Sequence, residues 1–261
     1  MDNNQKILHS KILGKGTPLL ILHGLLGMGD NWISLSKQYA DNGFEVHLID
    51  QRNHGKSFHS HEMNYKVMNQ DLKKYIAHYQ LKNCYIMGHS MGGKNAMNFA
   101  IHYPELLQKL IVVDIAPKYY APHHQVIFEA IKNINLTLYI KRKEIDIFLS
   151  KKIASPAIRN FLLKNLKRNN LNKFEWKANM AVLESSLEEL GEALPINSKF
   201  DKPTLFIKGQ KSPYIDLADY KMIKKHFPQT TLLEIPNAGH WVHAEQSAYF
   251  FKKTYSFLTN K

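Results

Sequence analysis

The amino-acid sequence predicts an α/β domain: a mostly parallel central sheet with helices on both faces, interrupted by a helical cap insertion. Three observations carry this. Short runs such as Pro18-Leu19-Leu20-Ile21-Leu22 and Leu110-Ile111-Val112-Val113-Asp114 are continuously apolar at strand length, as strands buried on both faces must be. Helical patterns separate these runs, and strands alternating with helices argue a parallel sheet. From Lys118 to about Phe200 the rhythm breaks and no convincing strand occurs.

In chain order, Lys6 to Leu13 reads as an edge strand, turned by Gly14-Lys15-Gly16. The strand Pro18–Leu22 empties into His23-Gly24-Leu25-Leu26-Gly27, helix follows from Asn31 to Tyr39, and Val46–Asp50 is the next strand. The turn-rich Gln51-Arg52-Asn53-His54-Gly55-Lys56-Ser57 precedes Asn64 to Gln80, where Val67, Met68, Leu72, Tyr75, Ile76 and Tyr79 form the stripe of an amphipathic helix. Cys84–Met87 is a strand and Met91–His102 a helix closed by Tyr103-Pro104; the strand Leu110–Asp114 stops at Ala116-Pro117. The insertion shows helical patterns at Ile145, Phe148, Leu149 and Ile153, and again at Phe161, Leu162 and Leu166. Thr204–Gly209 and Thr231–Pro236 are the last strands, and the closing helix, Ala244 to Leu258, places Ala244, Ala248, Phe251, Tyr255 and Leu258 on one side. The core is therefore expected in two pieces, 1–117 and 201–261, with the cap at 118–200 folding over the carboxyl edge of the sheet, where open α/β folds bind ligands.

With 261 residues the chain can bury a sizeable core as one domain. Met1-Asp2-Asn3-Asn4-Gln5 has neither a basic n-region nor an apolar h-region, and no apolar run approaches membrane-spanning length, so the chain reads as cytoplasmic without integral membrane contact. The single cysteine, Cys84, excludes an intramolecular disulfide and reads as a small buried hydrophobe. The net charge is +13, but only four of the 35 basic residues are arginine. Nucleic-acid readers lean on arginine forks and clustered basic faces, so the lysines read as solvated surface and no nucleic-acid partner is expected. Such a charge can still steer anionic substrates or acidic lipid surfaces.

Chemistry concentrates at Ile86-Met87-Gly88-His89-Ser90-Met91-Gly92-Gly93, a strand running into Gly-x-Ser-x-Gly and then a helix. In that context the pattern is a nucleophile elbow, which holds the serine hydroxyl above the sheet on a strained turn. A serine hydroxyl needs a general base, and the base needs a group to orient it. His240, in Asn237-Ala238-Gly239-His240-Trp241 after the last strand, falls at the same sheet edge as Ser90. The start of the closing helix suits His243 to a surface or capping role, and no third ligand is spaced to join His240 and His243 on a metal. Oxyanion donors are expected from the backbone N–H groups of Met91, one past the nucleophile, and Leu25, in the loop after the second strand. Asp50 and Arg52 read as knitting their turn, Asp71 as solvated, His59, His61, His123 and His124 as surface or cap rim, and the cap aromatics Phe128, Phe161 and Trp176 as core more often than pocket.

The loop His23–Gly27, Asp50–Ser57, the elbow and Gly239-His240-Trp241-Val242-His243-Ala244-Glu245 together resemble the α/β-hydrolase superfamily. More narrowly, Arg52-Asn53-His54-Gly55, Gly92-Gly93-Lys94, Asp114-Ile115-Ala116-Pro117 and Ser212-Pro213-Tyr214 resemble the YbfF-type bacterial esterases. The resemblance covers nearly the whole chain and is weakest across the insertion. It implies the α/β-hydrolase fold and a Ser, acid, His triad. In most of the superfamily the acid lies in a Gly-x-x-Asp turn after the next-to-last strand; here that turn reads Gly209-Gln210-Lys211-Ser212. Asp114 is the acid the narrower resemblance implies, with Asp216, placed in a short helix, as runner-up. The resulting expectation is a cofactor-free and metal-free serine hydrolase of carboxylic esters, with acyl-CoA thioesters as a second substrate class. A carbon–carbon bond hydrolase or lyase on the same fold is the alternative reaction, and a non-catalytic binding protein the alternative class.

Overall fold

A computed structural model describes residues 6–260; Met1–Gln5, read above for leader character, lie outside the described residues. The chain runs through β1 (Ser10–Leu13), β2 (Thr17–Leu22), α1 (Ile33–Ala40), β3 (Phe44–Ile49), α2 (Tyr65–His78), β4 (Cys84–His89), α3 (Met91–His102) and β5 (Leu107–Val113). Five short helices follow in the inserted segment, α4 (Gln125–Lys132), α5 (Arg142–Ser150), α6 (Pro156–Leu163), α7 (Met180–Ser185) and α8 (Leu187–Gly191), with strands β6 (Leu166–Arg168) and β7 (Phe174–Trp176) between α6 and α7. The sheet resumes with β8 (Thr204–Gly209), α9 (Asp219–His226) and β9 (Thr230–Ile235), and the chain closes with α10 (Val242–Glu245) and α11 (Ser247–Thr259).

Seven strands form one sheet in the order β1-β3-β2-β4-β5-β8-β9. All neighbours are parallel except β1, which runs antiparallel to β3 at the edge. Because successive residues of a strand face opposite sides, Leu20, Leu22, Ile86, Leu110, Val112 and Phe206 enter one core, while Leu19, Ile21, Met87, Ile111, Val113 and Ile207 enter the other. The continuous apolar runs thus supply two layers at once. Cys84 is buried in β4, and burial pushes its thiol up to about 12. A third core joins the inserted segment to the sheet edge, packing Leu26, Met63, Met68 and Met91 against Phe128, Ile145, Leu149 and Leu162. Local signals set the helix starts: Asn64 caps α2 by accepting the Val67 N–H (3.1 Å), and Ser155 caps α6 ahead of Pro156.

Four details depart from the sequence reading. The edge strand begins at Ser10, not Lys6. The inserted segment is not wholly helical, since β6 and β7 pair antiparallel, and Leu166, grouped above with a helix, pairs with Trp176. Its strands are three residues long, too short to show a period. The closing helix breaks at Gln246, which resets its phase: Phe250, Thr254 and Leu258 are buried, whereas Ala244 and Ala248 are exposed. Asp71 is not solvated but buried on α2, where its carboxylate meets Arg52 Nε at 2.6 Å and Nη2 at 2.9 Å. No helix among the described residues is long and apolar enough to cross a membrane.

Candidate active site

The site assembles at the carboxyl ends of β2, β4, β5, β8 and β9. Ser90 follows β4 directly and sits at φ +54°, ψ −120°, a left-handed conformation that costs a non-glycine residue on the order of 1–3 kcal/mol. The flanking glycines make the turn feasible. A Cβ on Gly88 would overlap the Gly92 carbonyl, and one on Gly92 would overlap the Leu22 carbonyl. Ser90 N–H donates to Val113 O (3.0 Å), while Ser90 O accepts the Lys94 N–H (3.0 Å), so the turn is locked between β5 and the first turn of α3.

Asp114 stands one residue past β5, also at positive φ (+54°), and is wholly buried. Its carboxylate accepts three hydrogen bonds: Gly209 N–H on Oδ1 (3.0 Å), and both the Ser212 hydroxyl and His240 Nδ1 (2.7 Å) on Oδ2. His240 lies in the loop after β9 with its ring stacked on Tyr214, centroids 4.0 Å apart and planes 16° from parallel. His240 O accepts from His89 Nε2 (2.9 Å), which ties the histidine loop to the residue preceding Ser90. Burial holds His89 well below the ordinary histidine value, so it donates as a neutral imidazole. Asp216 is excluded from this group. It lies in the loop ahead of α9 rather than in a helix, its side chain is 60% exposed, and it faces Lys118 Nζ at 3.3 Å.

Ser90 and His240 line one cavity of about 340 Å³ with apolar walls that include Trp32, Ile158, Phe161 and Leu162. No hydrogen bond among the described residues joins Ser90 Oγ to His240; in ligand-free sites such contacts are often long and tighten when substrate arrives. Leu25 lines the same cavity and, with Met91, a smaller alcove of about 50 Å³ beside Ser90. The Leu25 and Met91 N–H groups meet no acceptor among the described residues. Two buried histidines fix the loop that carries Leu25. His54 Nε2 accepts the Leu26 N–H (3.1 Å) and its Nδ1 donates to Arg52 O (2.9 Å), while His23 Nε2 accepts the Gln51 N–H (3.0 Å) and its Nδ1 donates to Gly24 O (2.8 Å). Burial lowers His23 to about 4 and His54 to about 3, so both are neutral near pH 7. Asn165 reaches across from the inserted segment and donates to Leu26 O (2.6 Å).

The expected residues therefore meet, with additions that sequence reasoning missed. Ser212, Tyr214 and His89 all touch Asp114 or His240; Ser212-Pro213-Tyr214 entered the sequence reading only as a motif of the esterase resemblance, with no role in the site. His243 is not a surface residue; it is buried, stacked on Trp32 with centroids 3.8 Å apart, and lines the cavity. His123 and His124 also line it, and so does Phe161 of the cap aromatics, whereas Phe128 is core. Asp50 knits its turn as expected, accepting the Lys56 N–H (2.9 Å) and, from the loop after β2, the Gly29 N–H (2.7 Å); Arg52 does not, because its guanidinium leaves the turn for Asp71 on α2 and the Glu62 carbonyl (2.9 Å).

A doubly covered parallel sheet with a serine elbow, a histidine and a buried aspartate at its carboxyl edge defines the α/β-hydrolase class. Comparison with known proteins agrees: the family model described as alpha/beta hydrolase fold matches residues 17–143 and 165–247, and this chain belongs to that family. It is similar to the sn-1-specific diacylglycerol lipase ABHD11 of Danio rerio, 35% identical over 252 residues that cover 94% of this chain and 79% of the relative. Esterase YbfF of Escherichia coli is 33% identical over 233 residues, covering 88% of each chain. Among solved structures, a marine microorganism esterase superposes with a TM-score of 0.94 at 42% identity, covering 97% of this chain and 100% of that one.

Proposed function

We propose that this hydrolase cleaves carboxylic esters through an acyl-enzyme on Ser90, with 118–200 acting as a cap over the acyl site. The reading rests chiefly on one observation, the buried Asp114 carboxylate accepting Nδ1–H of His240, which lines the apolar cavity that holds Ser90. With its Nδ1 proton committed to Asp114, His240 offers Nε2 as the free base. His240 takes the Ser90 proton as Oγ attacks the acyl carbonyl, and the carbonyl oxygen, now negative, is received by the N–H groups of Leu25 and Met91. The imidazolium, held by Asp114, returns that proton to the leaving alcohol as the carbon–oxygen bond breaks. Water then enters, loses a proton to His240, and releases the acid by the same steps.

The apolar walls suit an acyl chain, and about 340 Å³ lies at the small end of ligand-pocket volumes. The named relatives act on diacylglycerol or are esterases, so glycerol esters and simple alkyl esters are the first substrates to try, acyl-CoA thioesters the second. The test is fluorophosphonate labelling of wild type and Ser90→Ala, followed by a panel of oxygen esters and thioesters. Labelling and ester turnover that vanish together in Ser90→Ala, by on the order of a million-fold in kcat, support the acyl-enzyme. A wild type that neither labels nor turns over any ester overturns it in favour of a binding role.

A further inference from the structure

Four of the twelve exposed large apolar side chains among the described residues fall on one stretch of the cap. Leu138 (75% exposed), Ile140 (70%), Ile147 (55%) and Leu171 (80%) all fall within 136–173. Isolated exposed leucines are ordinary; these are not isolated. The Arg168 guanidinium donates to Ile140 O (2.5 Å) and to Asn172 O (2.5 Å), which fastens the turn carrying Leu138 and Ile140 to the hairpin turn carrying Leu171. Arg142 Nη2 donates to Leu166 O (3.1 Å), anchoring the start of α5, the helix of Ile147, on the same hairpin.

The same residues are strongly cationic. Between 136 and 173 there are ten lysines and arginines and only two acids, Glu144 and Asp146. Both acids are occupied, Asp146 by Arg159 (2.6 Å) and Glu144 by capping the Lys141 N–H (2.9 Å) and Ile140 N–H (3.0 Å). Among the described residues Lys141, Lys143, Lys151, Lys152 and Lys173 form no ion pair, and all are exposed.

We infer that this face of the cap docks on the surface of an anionic phospholipid bilayer. The chemistry selects that occupant. Protein interfaces favour aromatics and arginine and are depleted in lysine, and nucleic-acid surfaces add aromatic stacking or arginine forks. Aliphatic tips interspersed along one stretch with unpaired lysines instead match a headgroup layer, the tips entering the acyl boundary while the ammonium groups meet phosphates. The net charge of +13 adds attraction at long range. Docking has a consequence for the cavity, because α6 of the same segment contributes Ile158, Phe161 and Leu162 to its wall. The inference goes beyond the hydrolase reading and stands without it.

The test is co-sedimentation of the full chain with vesicles of phosphatidylglycerol and phosphatidylcholine, against phosphatidylcholine alone, at low and high salt. Wild type is expected to bind the anionic vesicles, release them at high salt and ignore the neutral ones. Leu138→Asp/Leu171→Asp and Lys141→Glu/Lys173→Glu should each weaken binding at least about tenfold. Lys224→Glu/Lys225→Glu, which makes the same change in net charge on α9 as the Lys141/Lys173 variant, should leave it within about twofold. Thermal unfolding followed by circular dichroism verifies that each variant is folded. Absence of binding by wild type overturns the inference, and so does equal loss in the α9 variant, which would make net charge the cause. A dimer that Leu138→Asp/Leu171→Asp dissolves, without vesicle binding, would also overturn it and assign the face to a second copy.

Discussion

Replacing Asp114 with asparagine keeps the shape of the site and changes one group, and its outcome can be worked from the hydrogen bonds. Gly209 N–H donates to Oδ1, so the asparagine must keep its carbonyl oxygen there and place its NH2 at the Oδ2 position. That NH2 then faces the Ser212 hydroxyl and His240 Nδ1, which both donate to Oδ2 in the wild type. The hydroxyl can rotate to accept. The imidazole can accept only by moving its proton to Nε2, and an Nε2–H cannot take a proton from Ser90. The base is lost through its tautomer while its position is kept, and in a serine hydrolase of another fold that change costs about 10⁴ in kcat, or roughly 5 kcal/mol at 1.36 kcal/mol per decade. The assay is kcat/KM on a chromogenic short-chain ester, with the rate of fluorophosphonate labelling as a second reading. Asp114→Asn should lose on the order of 10⁴-fold in kcat and slow labelling comparably, while Asp216→Asn, an exposed partner of Lys118, stays within about twofold of wild type. An Asp114→Asn enzyme within tenfold of wild type, or an equal loss in Asp216→Asn, refutes the assignment.

Three further outcomes follow from individual contacts. Ser212→Ala removes one of the three donors to the buried carboxylate; a hydrogen bond to a charged group is worth about 1.5–3 kcal/mol, so kcat/KM should fall about tenfold or more, and an unchanged value would make Ser212 a bystander. Arg52→Ala strands the buried Asp71 carboxylate, whose pKa burial already raises against the pull of Arg52; a loss of about 3–5 kcal/mol should lower Tm by roughly 10 °C, and a shift under about 2 °C in a thermal melt refutes it. His23 and His54 titrate normally near 6.5 when unfolded but at about 4 and about 3 when buried, so the unfolded chain binds more protons in that interval. Their stabilisation is complete above about pH 7 and is lost as pH falls below 6.5 toward 4, by up to about 1.4 kcal/mol per pH unit for each histidine; urea midpoints at about pH 7.5, 6 and 5 should decline, and a flat series refutes the claim.

Which features the sequence disclosed follows from the range of the interactions that create them. β2, β4 and β5 were legible because two buried faces demand unbroken apolar runs, and the elbow because Gly88 and Gly92 meet the overlap of a single turn. Asp71 was misread because helical periodicity reports only the helix it sits on, whereas its partner Arg52 lies 19 residues earlier in a loop. His89 meets His240 O across 151 residues, so nothing local distinguishes it from any residue at the variable position of Gly-x-Ser-x-Gly. His243 and the start of the closing helix were misread together. Reading one continuous helix through Gln246 turned His243 outward and put Ala244 and Ala248 on the buried side in place of Phe250 and Thr254, although Phe251, Tyr255 and Leu258 do pack on the core.

The position of the proposed acid shows how two strand ends can serve one histidine. β5 and β8 are hydrogen-bonded neighbours with Val113 level with Ile207, so the residues just past either strand open onto the same space. Asp114 N–H donates to Ile207 O (2.7 Å), and positive φ at Asp114 accompanies a carboxylate that reaches the Gly209 N–H and the Ser212 hydroxyl of the next strand's turn. An aspartate at 212, the superfamily's usual choice, would therefore face Asp114 across a hydrogen-bond distance inside a buried pocket. Two carboxylates that close cannot both stay ionised, and the shared proton would occupy the oxygen that His240 needs. Serine at 212 resolves the conflict by donating where a second acid would repel. Aspartate at 114 and a neutral donor at 212 are in this sense one feature: moving the acid to the end of β5 is what makes a serine in the β8 turn the compatible residue.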